Sequence, residues 1–276
     1  MTNPLVDVQW LEKNLTDPNL VLLDATMAHA VVPPNDLTEY DYIPSARHFD
    51  IDEDFCNVSA RFPHTIASEG QFTEQAQKLG INDDSLIVVY DARGVYSAPR
   101  AWWMLTAMGH KNVKLLNGGL PAWKGAGLPI EKAVSHAASR GNFEASLDKQ
   151  KVLAAEEVLD QISNPASITI DVRSLNRFLG EAPEPREGVR KGHIPSAINL
   201  PFNQVLEGSH FKTTDELKLI FSMKETVNSE QVIFSCGSGI TACIVLFAAK
   251  LAGFESVALF DGSWTEWGSR QELPIE

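Results

Sequence analysis

Cysteine is scarce in this chain, with three residues among 276: Cys56, Cys236 and Cys243. Three cysteines are too few for a disulfide scaffold, and none of them has the CxxC spacing of a metal site. No uninterrupted apolar run approaches the roughly 18 residues that cross a bilayer, and residues 1–10 lack the basic region and apolar core of a secretion signal. We therefore expect a cytoplasmic protein with no membrane partner.

Basic residues are also in short supply, because 23 Lys and Arg face 36 Asp and Glu, for a formal net charge of −13. This balance argues against nucleic acid or an anionic membrane surface as the main partner. A small anionic ligand would need a local cluster of basic side chains. Hydrophobic residues make up 44% of the chain, which is enough for the cores of one large or two ordinary domains.

The chain contains one internal repeat. The segments 22–25, 43–46, 87–91 and 117–119 return in the same order, at an offset of roughly 150 residues, as 169–172, 194–197, 232–236 and 261–263. The motif IPSA is identical in the two copies, at 43–46 and 194–197. A repeat this long indicates duplication of a whole domain, since a solenoid would repeat every few tens of residues.

Each half alternates short apolar, strand-like segments with helix-like segments, among them residues 73–79, 98–108 and 215–223. This alternation predicts an α/β fold in which each domain has a mainly parallel sheet flanked by helices. Residues 133–150 contain few large apolar side chains and are predicted to be a linker. The predicted domains are therefore residues 1–132 and 151–276.

Cys236 has the most informative surroundings of the three cysteines. It follows a strand-like segment, 232–235, and precedes an apolar segment of helical length, 242–252, for which Gly253 is the predicted C-cap. Gly237 and Gly239 allow the intervening loop to turn its N–H groups inward, where they and the positive helix end stabilise an anion. We interpret that anion as the Cys236 thiolate, a nucleophile. The alternative is a buried structural cysteine, which is how we interpret Cys243.

The repeat provides an internal comparison for this loop. The position equivalent to Cys236 in the first copy is Asp91, which cannot carry out sulfur chemistry. Ligands of parallel sheets bind outside the C-terminal ends of the strands, where Cys236 is predicted to lie. The second copy is therefore the predicted catalytic domain.

The duplication, the CGSGIT loop at 236–241 and the DGSWTEW segment at 261–267 together resemble the two-domain rhodanese-like sulfurtransferases. The resemblance covers essentially the whole chain and implies tandem rhodanese-like domains, with a persulfide formed on Cys236. The mercaptopyruvate branch of this family has a loop similar to CG[ST]GVT, whereas the thiosulfate branch has basic residues, as in CRKGVT. Because Gly237 and Ser238 stand at those two positions, the resemblance favours 3-mercaptopyruvate as the sulfur donor.

The resemblance also assigns site residues. The substrate-binding residues that it implies are Arg177, Arg186, Gly237, Gly239, Ile240 and Thr241. A guanidinium is the side chain best suited to pair with a carboxylate, although residue type alone would favour solvated loop arginines in surface ion pairs. We interpret Arg173, Arg190 and Lys191 as surface charges.

A hydroxyl, an imidazole and a carboxylate could together move the proton that is needed when sulfur leaves carbon. The family resemblance points to Ser238, His64 and Asp52 for these roles. Asp50 is an alternative to Asp52, and a solvated loop histidine is the alternative for His64.

The implied reaction needs no metal or organic cofactor and releases pyruvate. The persulfide would pass its sulfur to cyanide or to a thiol such as thioredoxin or glutathione. Alternatives are a thiosulfate:cyanide sulfurtransferase and an inactive rhodanese-like binding module. A cysteine-dependent phosphatase with the CX5R motif is disfavoured, because Ala242 stands where its arginine would be.

Overall fold

A computed structural model of the protein describes residues 3–27, 41–224 and 229–276. The chain divides into two compact units. The N-terminal unit consists of Met1–Asn57, Ile66–Leu147 and Gly208–Phe211, and the C-terminal unit of Val58–Thr65, Asp148–Glu207 and Lys212–Glu276. The segment Val58–Thr65 therefore belongs to the C-terminal unit, although it comes from the first half of the chain.

The N-terminal unit contains a five-stranded parallel sheet with the strand order β1-β5-β4-β2-β3. Its strands are β1 (Leu5–Val6), β2 (Leu20–Asp24), β3 (Arg47–His48), β4 (Leu86–Tyr90) and β5 (Val113–Leu116). Its helices are α1 (Val8–Asn14), α2 (Glu69–Lys78), α3 (Ala98–Ala107) and α4 (Gly119–Gly125). All five residues of β2 are buried, as expected for a parallel strand that is covered on both faces of the sheet.

The C-terminal unit contains a second five-stranded parallel sheet, with the order β6-β12-β11-β7-β8. Its strands are β6 (Val152–Leu153), β7 (Ser167–Asp171), β8 (Ile198–Asn199), β11 (Gln231–Ser235) and β12 (Val257–Phe260). Its helices are α5 (Ala155–Gln161), α6 (Leu175–Phe178), α7 (Thr214–Met223), α8 (Ala242–Ala252) and α9 (Ser263–Ser269), with a 3-10 helix at Phe202–Val205. Two short strands, β9 (Leu206–Glu207) and β10 (His210–Phe211), lie outside both sheets.

The two sheets have equivalent strand orders, which confirms the predicted α/β fold with tandem copies. The repeated IPSA motifs also share their backbone conformation, because Ser45 and Ser196 both have positive φ, at 68° and 60°. A positive φ is uncommon for a serine, so its occurrence at both positions reflects the common origin of the copies.

Helix boundaries differ from the sequence prediction where a capping residue decides them. Helix α2 begins at Glu69, before the predicted residue 73, because the Ser68 side chain accepts a hydrogen bond from the Gln71 N–H. Helix α8 ends as predicted, with Gly253 in the left-handed conformation at φ 101°.

Residues 131–147 belong to the N-terminal unit and run along its surface. The Gly141 N–H donates to the Gln77 carbonyl at 2.8 Å, and the Phe143 N–H donates to the Ile81 carbonyl at 3.1 Å. The Phe143 side chain is buried. Much of the predicted linker thus lies against the first unit.

Among residues 3–27, 41–224 and 229–276, no helix has both the length and the apolar character needed to span a bilayer.

Candidate active site

Cys236 lies directly after β11, the central strand of the C-terminal sheet, and is 2% exposed. Its N–H donates to the Ser263 hydroxyl at 3.2 Å, and its carbonyl accepts from the Trp264 N–H at 3.0 Å. The next carbonyl, that of Gly237, accepts from the N–H of Thr265 at 3.0 Å and from its hydroxyl at 2.5 Å. The first turn of α9 therefore holds the beginning of the cysteine loop in place.

In the rest of the loop, residues 237–241, one of the two glycines has a backbone conformation that requires glycine. Gly239 has φ 80°, in the left-handed region that favours glycine. Ile240 is buried, and Thr241 occupies the N-cap position of α8. A β-carbon on Gly237 would lie 3.5 Å from Arg177 Nη2, which places that guanidinium beside the loop.

Arg186, the second predicted substrate-binding arginine, also lies beside the loop. Its Nη1 donates to the Thr265 hydroxyl at 3.4 Å. Burial lowers the pKa of Arg186 from its usual value, and the negative charges of Cys236 and Glu184 act against this lowering. The Arg186 charge therefore lies within electrostatic range of the Cys236 sulfur.

The interpretation of Arg173 as a surface charge is wrong, because this residue is 2% exposed. Its guanidinium pairs with Asp171 and Glu184, donates to the Gly192 carbonyl and stacks over the Trp264 ring at 4.4 Å. Arg190 is also partly buried. Its guanidinium donates to four main-chain carbonyls, those of Trp267, Gly268, Arg270 and Leu273. Sequence alone did not indicate these partners. Lys191 is exposed, as expected.

Ser238 and His64 are brought together within the C-terminal unit. Nδ1 of His64 lies 2.9 Å from the Ser238 hydroxyl and 3.3 Å from the Ser238 carbonyl. His64 has φ 59°, an unusual backbone conformation that orients the segment Val58–Thr65 at this point. The arrangement allows proton exchange between the hydroxyl and the imidazole.

Asp52 and Asp50 belong to the N-terminal unit. The Asp50 carboxylate accepts the N–H groups of Asp52 and Glu53, at 2.8 and 2.9 Å. The Asp52 carbonyl accepts the Cys56 thiol at 2.8 Å. The role of Asp52 in proton transfer stays a prediction.

In the first copy, the loop after β4 binds a carboxylate of its own, that of Asp91. The Asp91 carboxylate is fully buried and accepts four main-chain N–H groups, from Arg93, Tyr96, Ser97 and Ala98, at 2.8 to 3.0 Å. The equivalent loops of the two copies thus have a carboxylate at this position in the first and a thiol in the second.

Two polar residues of the site were missed at the sequence level. Thr265 ties the Gly237 carbonyl to Arg186, and Glu184 pairs with Arg177. Thr265 falls within the DGSWTEW segment that carried the family resemblance, so its motif was a usable signal. Glu184 stands two residues before Arg186 in an acidic stretch, where it resembles a surface charge.

Comparison with known proteins places the chain in a family. The sequence profile of the rhodanese-like domain family matches residues 7–126 and 154–270. The chain is 37% identical to the 3-mercaptopyruvate sulfurtransferase of Escherichia coli, over 100% of this chain and 98% of that protein. It is 36% identical to the mitochondrial thiosulfate/3-mercaptopyruvate sulfurtransferase 1 of Arabidopsis thaliana, over 100% of this chain and 78% of that protein.

A solved structure gives the same result. The crystal structure of SseA from Escherichia coli, a 3-mercaptopyruvate sulfotransferase with the rhodanese fold, aligns with a TM-score of 0.85 at 33% identity. The alignment covers 95% of this chain and 99% of that one. Two matched domains, similarity along the full chain and the shared fold all agree, and the protein accordingly belongs to the rhodanese family.

Proposed function

We propose that this protein is a sulfurtransferase that takes sulfur from 3-mercaptopyruvate onto Cys236 and passes it to a thiol or to cyanide. The observation that carries this proposal is the geometry of the cysteine loop. A single cysteine follows the central strand, with Arg177 and Arg186 beside its loop and Ser238 paired with His64. The full-length similarity to 3-mercaptopyruvate sulfurtransferases supports the same donor.

In the first half-reaction, the Cys236 thiolate attacks the thiol sulfur of the donor. The S–S bond forms while the C–S bond breaks, and the bonding electron pair leaves with carbon as the enolate of pyruvate. The enolate then takes up one proton, so the products are pyruvate and a persulfide on Cys236. No external oxidant or reductant is consumed, because the electron pair of the broken bond stays with the pyruvate carbon.

The two arginines suit the carboxylate of the donor. Guanidinium groups pair with carboxylates through two parallel hydrogen bonds, which fix the orientation as well as the position of the acid. Arg177 lies beside Gly237, and Arg186 lies within electrostatic range of Cys236. A carboxylate held by both would bring the adjacent carbon–sulfur bond towards the thiolate.

Ser238 and His64 suit the proton transfer. The enolate needs a proton as it departs, and a hydroxyl 2.9 Å from an imidazole can deliver one and be reprotonated. The nucleophile and the proton donor would then come from the same loop.

The second half-reaction regenerates the thiolate. A thiol acceptor, for which thioredoxin and glutathione are the candidates, attacks the outer sulfur of the persulfide and releases Cys236. Cyanide would attack the same atom and leave as thiocyanate. These acceptors need no cofactor.

Thiosulfate is a second candidate donor, because the relative from Arabidopsis thaliana is a thiosulfate/3-mercaptopyruvate sulfurtransferase. Thiosulfate is a dianion, however, and the loop has Gly237 and Ser238 where the thiosulfate branch has two cations. We therefore propose mercaptopyruvate as the main donor.

The experiment that tests this function is Cys236→Ser, with Cys56→Ser as the matched control. A hydroxyl is far less ionised than a thiol and cannot form a persulfide, so Cys236→Ser should abolish pyruvate release while leaving the melting temperature nearly unchanged. Intact mass after treatment with mercaptopyruvate should show one added sulfur on the wild type and on Cys56→Ser only. Added sulfur on Cys236→Ser, or a wild type that releases no pyruvate, would refute the proposal.

A further inference from the structure

Glu184 lies at the centre of a buried group of charges next to the cysteine loop. Its Oε1 accepts from Arg173 Nη1 at 2.8 Å and from Arg177 Nε at 3.3 Å, and its Oε2 accepts from Arg177 Nη2 at 2.5 Å. The Glu184 side chain is 4% exposed and that of Arg177 is 24% exposed. One carboxylate therefore holds the arginine that lies beside Gly237.

Of the two arginines that bind Glu184, Arg173 is held more firmly than Arg177. Arg173 is bound on its other edge by Asp171, the last residue of β7, and the side chains of this pair are 1% and 3% exposed. Glu184 thus joins a rigid, sheet-anchored ion pair to the partly exposed guanidinium of Arg177. Arg186 completes the group, because its Nη1 donates to Thr265, whose hydroxyl donates in turn to the carbonyl of Gly237, the residue beside Arg177.

The charges of these five side chains nearly balance. Three guanidiniums, Arg173, Arg177 and Arg186, face two carboxylates, Asp171 and Glu184, and leave one net positive charge. An ionised Cys236 balances that charge in turn. A donor with a single negative charge meets less repulsion in such a site than a donor with two.

We propose that Glu184 sets the donor specificity of the site, by holding Arg177 in place and by limiting the group to one net positive charge. The group then favours a monoanionic donor such as a 2-oxo acid thiol over a dianionic donor such as thiosulfate. The inference rests on the proposed function and extends it, because it assigns donor choice to a residue outside the cysteine loop.

The substitution that separates charge from structure is Glu184→Gln, because glutamine keeps the shape of the side chain and one hydrogen-bonding oxygen. Removing the negative charge of Glu184 strengthens the binding of every anion in proportion to the charge of that anion. The binding of the dianion is therefore strengthened more than that of the monoanion. One unit charge at about 6 Å in a partly hydrated site corresponds to a three- to tenfold effect. The ratio of kcat/KM for thiosulfate to kcat/KM for mercaptopyruvate should therefore rise about three- to tenfold. A purely structural loss would lower both values and leave their ratio unchanged.

Two further variants serve as controls. Glu187→Gln makes the same charge change at an exposed neighbouring position and should leave the ratio as it is in the wild type. Glu184→Asp keeps the charge but shortens the side chain, so it should raise KM for mercaptopyruvate without raising the ratio. The melting temperature of each variant is recorded beside its kinetics.

The wild type provides an independent measurement if Glu184→Gln does not fold. Propionate and malonate are similar in size but carry one and two charges at pH 8, and both can compete with mercaptopyruvate. Propionate should inhibit at the lower concentration. Stronger inhibition by malonate, or a ratio in Glu184→Gln that stays equal to the wild-type ratio or falls, would overturn the inference. A wild type that turns over neither donor would instead refute the proposed function itself.

Discussion

Three cysteines of identical chemistry have different environments in this protein. Burial raises the pKa of the Cys56 thiol to about 11, so this thiol stays protonated at neutral pH. Cys243 is fully buried in α8 and lies against the Gly239 carbonyl, with a Sγ to oxygen distance of 3.3 Å. Cys236 begins a loop that lies beside the guanidiniums of Arg177 and Arg186, and its charge acts on that of Arg186. The environment of Cys236, rather than its residue type, supports its proposed role as the nucleophile.

Substrate binding and proton transfer should respond differently to single substitutions. Arg186→Ala removes a charge-assisted hydrogen bond that acts in both the ground state and the transition state, worth about 1.5 to 3 kcal/mol. We expect KM for mercaptopyruvate to rise about ten- to a hundredfold with a smaller change in kcat. Lys191→Ala, at an exposed position in the same segment, is the control and should have wild-type kinetics.

Ser238→Ala should instead lower kcat with little effect on KM, because the hydroxyl is needed only while bonds change. His64→Ala should follow it and should alter the pH profile of kcat, since Nδ1 of His64 contacts the Ser238 hydroxyl. Both variants are assayed with excess acceptor, so that the first half-reaction limits turnover. Unaltered kcat and pH profile in His64→Ala would remove His64 and Asp52 from the mechanism.

At the scale of secondary structure, the cysteine loop is held between two rigid elements. Helix α8 buries nine of its eleven residues, which fixes the end of the loop. The first turn of α9 binds the carbonyls of Cys236 and Gly237, which fixes its beginning. Position 237 has room for a side chain, because a β-carbon there would lie no closer than 3.5 Å to its nearest neighbour, Arg177 Nη2.

The double substitution Gly237→Arg with Ser238→Lys tests whether the loop also contributes to donor choice. Two added cations should favour the dianion, so thiosulfate turnover should rise and mercaptopyruvate turnover fall. The new Arg side chain would also start within 3.5 Å of Arg177 Nη2, and the repulsion should destabilise the fold slightly. Steady-state kinetics with both donors measure the effect. A constant ratio of the two kcat/KM values would mean that the loop does not determine specificity.

The sequence predicts those parts of the site that depend on local order. The strand, the Gly-rich loop and α8 are contiguous, so the position of Cys236 and the cap at Gly253 could be predicted. Thr265 contacts Gly237 across 28 positions, and His64 contacts Ser238 across 174. Arg173 was misassigned because Trp264, which covers it, is far away in the chain. Such contacts depend on the packing of whole elements, which residue patterns do not specify.

At the scale of the whole chain, the two copies have a loop at the same place in equivalent sheets, with a different residue at its first position. The first copy has the same strand order, but the Asp91 carboxylate, which accepts N–H groups of its own loop, stands where the second copy has a thiol. That carboxylate occupies the N–H donors of its own loop. The Asp91 side chain thus stabilises the loop to which it belongs.

Asp91→Asn should therefore destabilise the protein by about 3 kcal/mol. The amide nitrogen of asparagine cannot accept a hydrogen bond, so at least one buried N–H group would lose its partner. Urea unfolding followed by circular dichroism measures the loss. Asp84→Asn, at an exposed position in the same unit, is the matched control and should change stability by less than about 0.5 kcal/mol. Equal stabilities for the two variants would contradict the role assigned to the Asp91 carboxylate.

The burial of Cys236 has a consequence for which reagents reach its thiol. The residue is 2% exposed, and a second sulfur bonded to Sγ would extend the side chain by roughly 2 Å. In the proposed reaction, an acceptor attacks that outer atom and does not need to contact Sγ. A protein acceptor can therefore collect the sulfur without approaching the buried thiol, whereas a reagent must be about as small as the donor to modify Cys236 itself.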